Sequence, residues 1–370
     1  MLDFEKRKPE MIALLKKLVE IESPSSDKAA VDRVGAAVAQ ECRQIGAQVE
    51  IVPNSLTGNH LVARWGSGPD GILLMHHMDT VFPLGTLERM PFYEKDKKIF
   101  GPGVLDMKGG IVISLTAVAA LLEAGALIRP ITILVTSDEE IGSGTSEDLI
   151  RKLAKEAALV LVLESGLVDG SLKTWRKGVG EFLVRVKGRA AHAGGAHQEG
   201  RNAIAEMAHQ VLAIQNMTDY ARGTTLNVGV IRGGTVSNVV PEEAIIDVDF
   251  RVLVPEETGR VINAMNALRP VTPDTSVEVS GGLNRPPMPN DDLMKATFEK
   301  ASQIARGINL EIKAGGSGGG SDGNFVAPLG IALLDGMGTY GEGLHSDREY
   351  IFSRSLPERA ALVAELIKQW

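Results

Sequence analysis

Apolar positions along the chain fall into two textures. In residues 2–22, Met11, Leu14, Leu15 and Leu18 share one face, which predicts an amphipathic helix ended by Ser23-Pro24-Ser25. Residues 28–45 predict a second helix, closed by Gly46. The runs 72–75, 131–136, 159–163 and 331–334 are brief and β-branched or leucine-rich, as in strands covered on both faces of a sheet. Residues 109–124, with Gly125 as a stop, are the clearest helix between them, and 356–370 form the last. Strands alternating with helices predict an α/β fold with a mostly parallel central sheet and helices on both faces.

From about Lys177 the texture changes to strict alternation. Residues 180–187, 226–231 and 244–252 read as half-exposed strands, with helices 203–215 and 256–268 over one face. This predicts a smaller inserted α+β domain at 177–286, flanked by a first domain made of 1–176 and 287–370. A chain of 370 residues also favours two cores over one. The proline-rich segment 284–290 reads as the return hinge. Bending around Lys177 and Asn290 would let the two domains close on a substrate.

Composition narrows the function. Apolar residues at 44% and charged residues at 23% are ordinary globular usage, so the chain is neither disordered nor fibrous. Net charge is −8, and the basic clusters Lys6-Arg7-Lys8 and 95–98 lack aromatic interleaving, which argues against nucleic acid. Apolar runs such as 111–122 are broken by Ser, Thr and Ala and read as too short for a bilayer, so no membrane partner is expected. The N-terminus mixes charged and apolar residues, unlike a signal peptide, and a cytoplasmic location is expected. Cys42 is the only cysteine, which excludes an internal disulfide and thiolate zinc chemistry. A metal would have to be held by His, Asp and Glu.

Ligands of open parallel sheets bind beyond the carboxyl ends of the strands. Here the predicted strands run into His76-His77-Met78-Asp79, into Asp138-Glu139-Glu140, into Glu164, and through a glycine-rich loop toward His345; Asp106 lies just before a helix. A lone histidine after a strand is more often structural than ligating, and an Asp-Glu-Glu run is more often a solvated turn. Together, however, these groups would gather at one sheet edge without counter-cations in their segments. Two Zn²⁺ ions would be balanced by three ligating carboxylates and one hydroxide, with neutral imidazoles completing the shells. Such a pair lowers the pKa of a shared water and polarises a carbonyl, and a further unligated carboxylate then serves as general base.

The segments His77-Met78-Asp79-Thr80-Val81, Gly101-Pro102-Gly103-Val104-Leu105-Asp106-Met107-Lys108-Gly109-Gly110 and Asp138-Glu139-Glu140-Ile141-Gly142-Ser143 resemble successive signatures of the aminoacylase and carboxypeptidase family of dinuclear zinc peptidases. Residues 233–241 and Gly343-Leu344-His345 continue the likeness, which covers nearly the whole chain. Among branches, it looks most similar to bacterial glutamate carboxypeptidases that hydrolyse folates. The resemblance implies two Zn²⁺ per subunit, with Co²⁺ or Mn²⁺ as substitutes. Asp106 would bridge them, His77 and Glu164 would complete one site, and Glu140 and His345 the other. Glu139 would be the general base, and Asp79 would hold the His77 imidazole from behind.

The resemblance also implies that the inserted domain is ferredoxin-like and pairs two chains into a homodimer. His192 would reach the partner's site to stabilise the oxyanion. Asn238 and Arg251 would hold the substrate carboxylate, Arg through its bidentate fork. Taken alone, Arg251 reads better as a strand residue paired across the sheet, and Asn238 equally well as a turn residue. The glycine tract 315–320, with Gly319, would cradle a carboxylate on its backbone; it lacks the Gly-Lys-Ser/Thr ending of a phosphate loop. Two positions depart from the family pattern: His76 stands where a small residue is usual, and Glu164 is a glutamate where aminopeptidase branches carry aspartate. His77 remains the preferred ligand because it keeps the two-residue spacing to Asp79, and Glu164 favours carboxypeptidase or deacylase activity. His60, His197 and His209 read as structural. The implied reaction is hydrolysis of an amide beside a free carboxylate, releasing a C-terminal amino acid, glutamate first, from a small or short-peptide substrate. The alternatives are deacylation of the acetylornithine or succinyl-diaminopimelate type, and a non-catalytic metal-binding scaffold.

Overall fold

Strands Ile131–Thr136, Gly71–His77, Ala157–Val162 and Leu333–Asp335 lie side by side, mutually parallel, at the centre of an eight-stranded sheet in the computed structural model, which describes residues 2–370. They need crossover connections, and helices Gly109–Glu123 and Glu147–Ala154 supply two of these. Covered on both faces, the central strands bury nearly every side chain, which is why they read as continuous apolar runs. Antiparallel strands His60–Trp65 and Gln48–Val52 extend the sheet on one side. Leu172–Arg176, antiparallel to Leu333–Asp335, and then Ala314–Ser317 extend it on the other.

Helix Gly109–Glu123 is apolar on all sides and packs against the last helix, Ser355–Gln369. Two glycines allow its first turn to close on the sheet. A Cβ at Gly110 would lie 2.3 Å from the carbonyl oxygen of Leu163, and one at Gly109 would lie 2.6 Å from that of Val104. Taken with the preceding turn, Val104–Glu123 is the one stretch among the described residues long and apolar enough, by length and composition, to cross a membrane; the regular helix within it is only Gly109–Glu123, because Asp106 and Met107 depart from helical φ/ψ. Its side chains are mostly buried in the core, which accounts for its all-round hydrophobicity.

The chain divides into two units, the second comprising Arg176–Pro289 and Gly318–Gly320 and the first the remainder. In the second unit, strands Gly178–Lys187, Thr225–Gly233, Glu243–Val252 and Ser276–Arg285 form an antiparallel sheet. Numbered along the chain, they stand in the spatial order second, third, first, fourth, with helices Ala203–Gln215 and Pro255–Asn266 in the two crossovers. This is the ferredoxin-like βαββαβ arrangement. Glu243–Val252 alternates buried and half-buried positions along its whole length, and Phe182, Val184, Ile246, Val248 and Phe250 join Met207 and Val261 of the helices in the core. Where the chain enters and leaves this unit, Arg176 and Met288 exchange backbone hydrogen bonds of 2.9 and 3.0 Å.

Leu161 is fully buried in the central strand Ala157–Val162, whereas Ile128 is 68% exposed in a connecting loop. Leu161→Ala is expected to cost about 2–5 kcal/mol, against less than about 0.5 kcal/mol for Ile128→Ala. Urea midpoints of the two variants check this; equal midpoints would contradict the packing.

Candidate active site

The ends of three of the four parallel strands carry parts of one cluster. His77 is the last residue of Gly71–His77, Glu139 and Glu140 form the turn after Ile131–Thr136, and Glu164 follows Ala157–Val162. Asp106 lies in the turn before helix Gly109–Glu123, where the Asp106–Met107 peptide bond is cis. His345 occupies the loop of a hairpin formed by Gly341–Glu342 and Tyr350–Phe352. Its φ of 58° is a left-handed conformation uncommon outside glycine, held here by the surrounding loop.

Asp106 stands between the two imidazoles. Its Oδ1 lies 2.9 Å from His77 Nε2 and its Oδ2 3.1 Å from His345 Nε2. Glu164 Oε1 approaches His77 Nε2 at 3.3 Å, and Glu140 Oε2 approaches His345 Nε2 at 3.4 Å. Donor atoms of His77, Asp106 and Glu140 all fall within 4.8 Å of one another, as do those of His77, Glu139 and Glu164. His76 points elsewhere, as strand alternation requires: its Nε2 is 2.8 Å from Ser114 Oγ and its Nδ1 3.2 Å from the Leu134 carbonyl. Burial pushes the pKa of His76 down to about 3.

Four carboxylates in so small a volume need positive charge. Burial opposes protonation of His77, yet hydrogen bonds with Asp106, Asp79 and Glu164 outweigh it and hold its pKa well above the ordinary imidazole value. Hydrogen bonds to Asp106 and Glu140 push His345 up to about 10. Burial raises Glu140, while the two imidazoles, against the burial of Asp106, hold that carboxyl well below the usual range. Without a cation, therefore, protons on both imidazoles serve as the counter-charge. The donor set, imidazole nitrogen and carboxylate oxygen with no sulfur, fits two divalent ions sharing Asp106.

Three further buried carboxylates, two of which the sequence reading gave no role, hold the ligand-bearing loops. Asp79, fully buried, accepts from the backbone N–H of Glu139 at 3.3 Å and of Glu140 at 3.2 Å, and from Ser25 Oγ at 2.7 Å. Its own carbonyl lies 3.0 Å from His77 Nδ1, and its Oδ1 3.4 Å. One residue thus fixes the imidazole and the Glu139-Glu140 turn together. Asp138 accepts from Thr145 N–H, Thr145 Oγ1 and Ser146 Oγ at 2.6–2.8 Å, closing the same turn from its other side. Glu349 accepts from the N–H groups of Gly103, Leu105 and Asp106 at 3.3, 2.7 and 3.2 Å; burial nonetheless pushes its pKa up to about 8. No spacing rule marks Glu349. Ser25 was visible only as part of a helix stop.

The remaining expected residues belong to the second unit. Ala191–His192 pairs with Val239–Val240, and the carbonyl of Asn238 accepts from the N–H of Ala193 at 2.9 Å, so His192 and Asn238 are neighbours. His192 Nδ1 accepts from the backbone N–H of Gly194 and Gly195 at 3.1 and 3.0 Å. That leaves the proton of the neutral ring on Nε2, where an exposed donor is presented. Arg251, at the other end of its strand, grips Asp249 through Nε and Nη2 at 2.7–3.0 Å. The carbonyls of Gly319 and Gly320 accept from Nη1 of buried Arg176 at 3.3 and 3.0 Å. Arg176 and the similarly buried Arg285 were passed over in the sequence because each sits in an unrecognised strand.

The model of "Peptidase family M20/M25/M40" matches residues 73–369. Carboxypeptidase G2 of Pseudomonas sp. (strain RS-16) is 32% identical over 97% of this chain and 89% of its own length. Acetylornithine deacetylase of Edwardsiella ictaluri is 26% identical over 97% of both. Among solved structures, the aminopeptidase PepT of Bacillus cereus superposes with a TM-score of 0.79 at 23% identity, covering 98% of each chain.

A divalent ion must displace the imidazole protons, so its apparent affinity should rise with pH. At pH 7, calorimetry in buffers of different ionisation enthalpy should record release of roughly two protons as the site fills. Binding without proton release would contradict the cluster's electrostatics. In the metal-free chain the raised pKa of His345 stabilises the fold fully below the ordinary imidazole value. That contribution is lost as pH climbs through about 10, so thermal midpoints should fall over this interval.

Proposed function

Since this chain belongs to peptidase family M20/M25/M40 and is a metal-dependent hydrolase of that family, we propose that it releases a terminal amino acid bearing a free α-carboxylate, glutamate first, from N-acyl, peptidyl or folate-type amides. The observation that carries this reading is the placement of Asp106 between His77 and His345, with Glu139 beside them, in a chain similar to a carboxypeptidase over nearly its whole length. Two Zn²⁺ per chain are the proposed metals, held by His77, Asp106, Glu140, Glu164 and His345; bound there, they supply a water of lowered pKa and polarise the scissile carbonyl.

In this reading Glu139 takes the proton of the attacking water and hands it to the departing amine, which a carboxylate within hydrogen-bond reach can do only if it stays unligated. Asp79 supports that role by accepting from the Glu139 N–H, which fixes the backbone from which the base projects. His192 would donate its Nε2–H to the developing oxyanion of a partner chain's substrate, the two chains pairing through the second unit. The free carboxylate would be taken by the partner's Asn238, which lies beside the partner's His192, together with Arg251 and the glycine tract at Gly319 of the substrate's own chain. Arg251 must then share its fork with Asp249 or exchange it.

Deacylation of N-acyl amino acids is a second reading, favoured by the likeness to acetylornithine deacetylase, and it uses the same metal ligands and base. Comparing release of glutamate from a folate with release of acetate or succinate from acyl-diamino acids separates the two. Equal turnover of carboxylate-blocked analogues would remove the carboxylate requirement from both. Glu139→Gln is expected to retain its metal, measured by elemental analysis, and to lose roughly 3–6 orders of magnitude in kcat. Undiminished turnover by that variant would transfer the base to another residue.

A further inference from the structure

Outside the ligand cluster, the last helix of the first unit carries a buried cation with little compensation. Arg359, on the last helix, is 3% exposed and makes no ion pair among the described residues. One of its nitrogens, Nη2, donates to the carbonyl of Gly170, but Nε has no hydrogen-bond partner. A buried guanidinium is ordinarily paired and fully bonded, because leaving it bare forfeits its hydration. Here the nearest relief is the face of Tyr340, 5.4 Å from the guanidinium carbon, and Arg354 stands over the same ring at 5.8 Å.

Arg359 lines a cavity of about 200 Å³, walled also by Tyr340, Arg354, Glu358, Asp169 and Glu311. Its wall carries both signs. Arg359 forms the buried end; Arg354, Asp169 and Glu311 are exposed at the rim; Glu358 accepts the hydroxyl of Tyr340. A simple anion would satisfy Arg359 but meet three carboxylates, and a simple cation would meet the arginines. A molecule carrying both signs meets neither objection.

We propose that this cavity binds a small zwitterion, a free α-amino acid in the simplest case, with its carboxylate on Arg354 and on Nη1 of Arg359, the guanidinium nitrogen that is neither bonded nor sealed off, and its ammonium between Glu311 and Asp169. The site is independent of the substrate assigned above. It also touches the loop that follows Glu164: Arg359 holds Gly170, and a Cβ added at Gly166 would lie 3.0 Å from Arg359 Nη2. An occupant therefore fixes the guanidinium that braces this loop.

Glycine, acetate and methylammonium, titrated into the metal-saturated enzyme by calorimetry, test the proposal. Glycine should bind one equivalent per chain that acetate and methylammonium match only at roughly tenfold higher concentration, because each carries one of the two charges. Arg359→Met should lose that equivalent while keeping the wild-type fold by circular dichroism, since a buried, incompletely bonded charge is replaced by an apolar chain of similar length and only the bond to the Gly170 carbonyl is given up. Glu311→Gln alters only an exposed side chain and should weaken glycine binding severalfold, which decides the matter if Arg359→Met fails to fold. Glycine binding no tighter than acetate, or undiminished in both variants, would overturn the proposal. So would a wild type that binds no glycine beside an Arg359→Met protein that melts well below it, which would make Arg359 a brace and nothing more.

Discussion

Mutual repulsion among Asp106, Glu139, Glu140 and Glu164 is the condition on which the first unit is organised. Donors of these groups and of His77 lie within 4.8 Å of one another in two overlapping sets. At such separations unlike and like charges interact by several kcal/mol in a partly dry setting, about 4 kcal/mol at 4 Å and an effective dielectric of 20. The arrangement is tolerable only with cations at its centre, whether protons on imidazole or divalent ions. A cluster of this kind cannot be assembled by the ligands alone, since each would relax away from its neighbours.

What prevents relaxation is a set of buried carboxyl groups turned toward backbone. Asp79, Asp138 and Glu349 each spend their oxygens on N–H or hydroxyl donors of the loops that carry Glu139, Glu140 and Asp106. These loops issue from strands buried on both faces, so their roots are as fixed as the core itself. The geometry of the site is thus inherited from the parallel sheet through short, fully bonded turns. Asp106 can then face two imidazoles at once because Glu349 holds its backbone from behind.

Much of this was legible in the chain. Strand Ile131–Thr136 and helix Ala203–Gln215 have the bounds that their patterns predict, because a strand apolar throughout and a well-capped amphipathic helix carry strong signals. Asn202 caps the latter through the N–H of Ala205. Strands Gln48–Val52, Leu172–Arg176 and Ser276–Arg285 were not legible: each sits toward a sheet edge or carries charge and glycine, so burial alternates weakly along it. Part of the glycine tract, Ala314–Ser317, is likewise a strand, sustained by sheet pairing that no local propensity reveals. Among site residues, those at strand ends announced themselves by position. Ser25 and Glu349 did not, since each acts by contacting a segment 54 or more residues away.

The paired backbones at Arg176 and Met288 have a bearing on how such a chain is built. Because the outgoing and returning segments are hydrogen-bonded to each other, residues Arg176–Pro289, which are all of the second unit except Gly318–Gly320, begin and end at a neck two strands wide. A gene segment encoding them can be gained, trimmed or exchanged with only a short splice across that neck, leaving the register of the eight-stranded sheet untouched. Diversification of the appended module is thereby uncoupled from preservation of the chemistry-bearing scaffold.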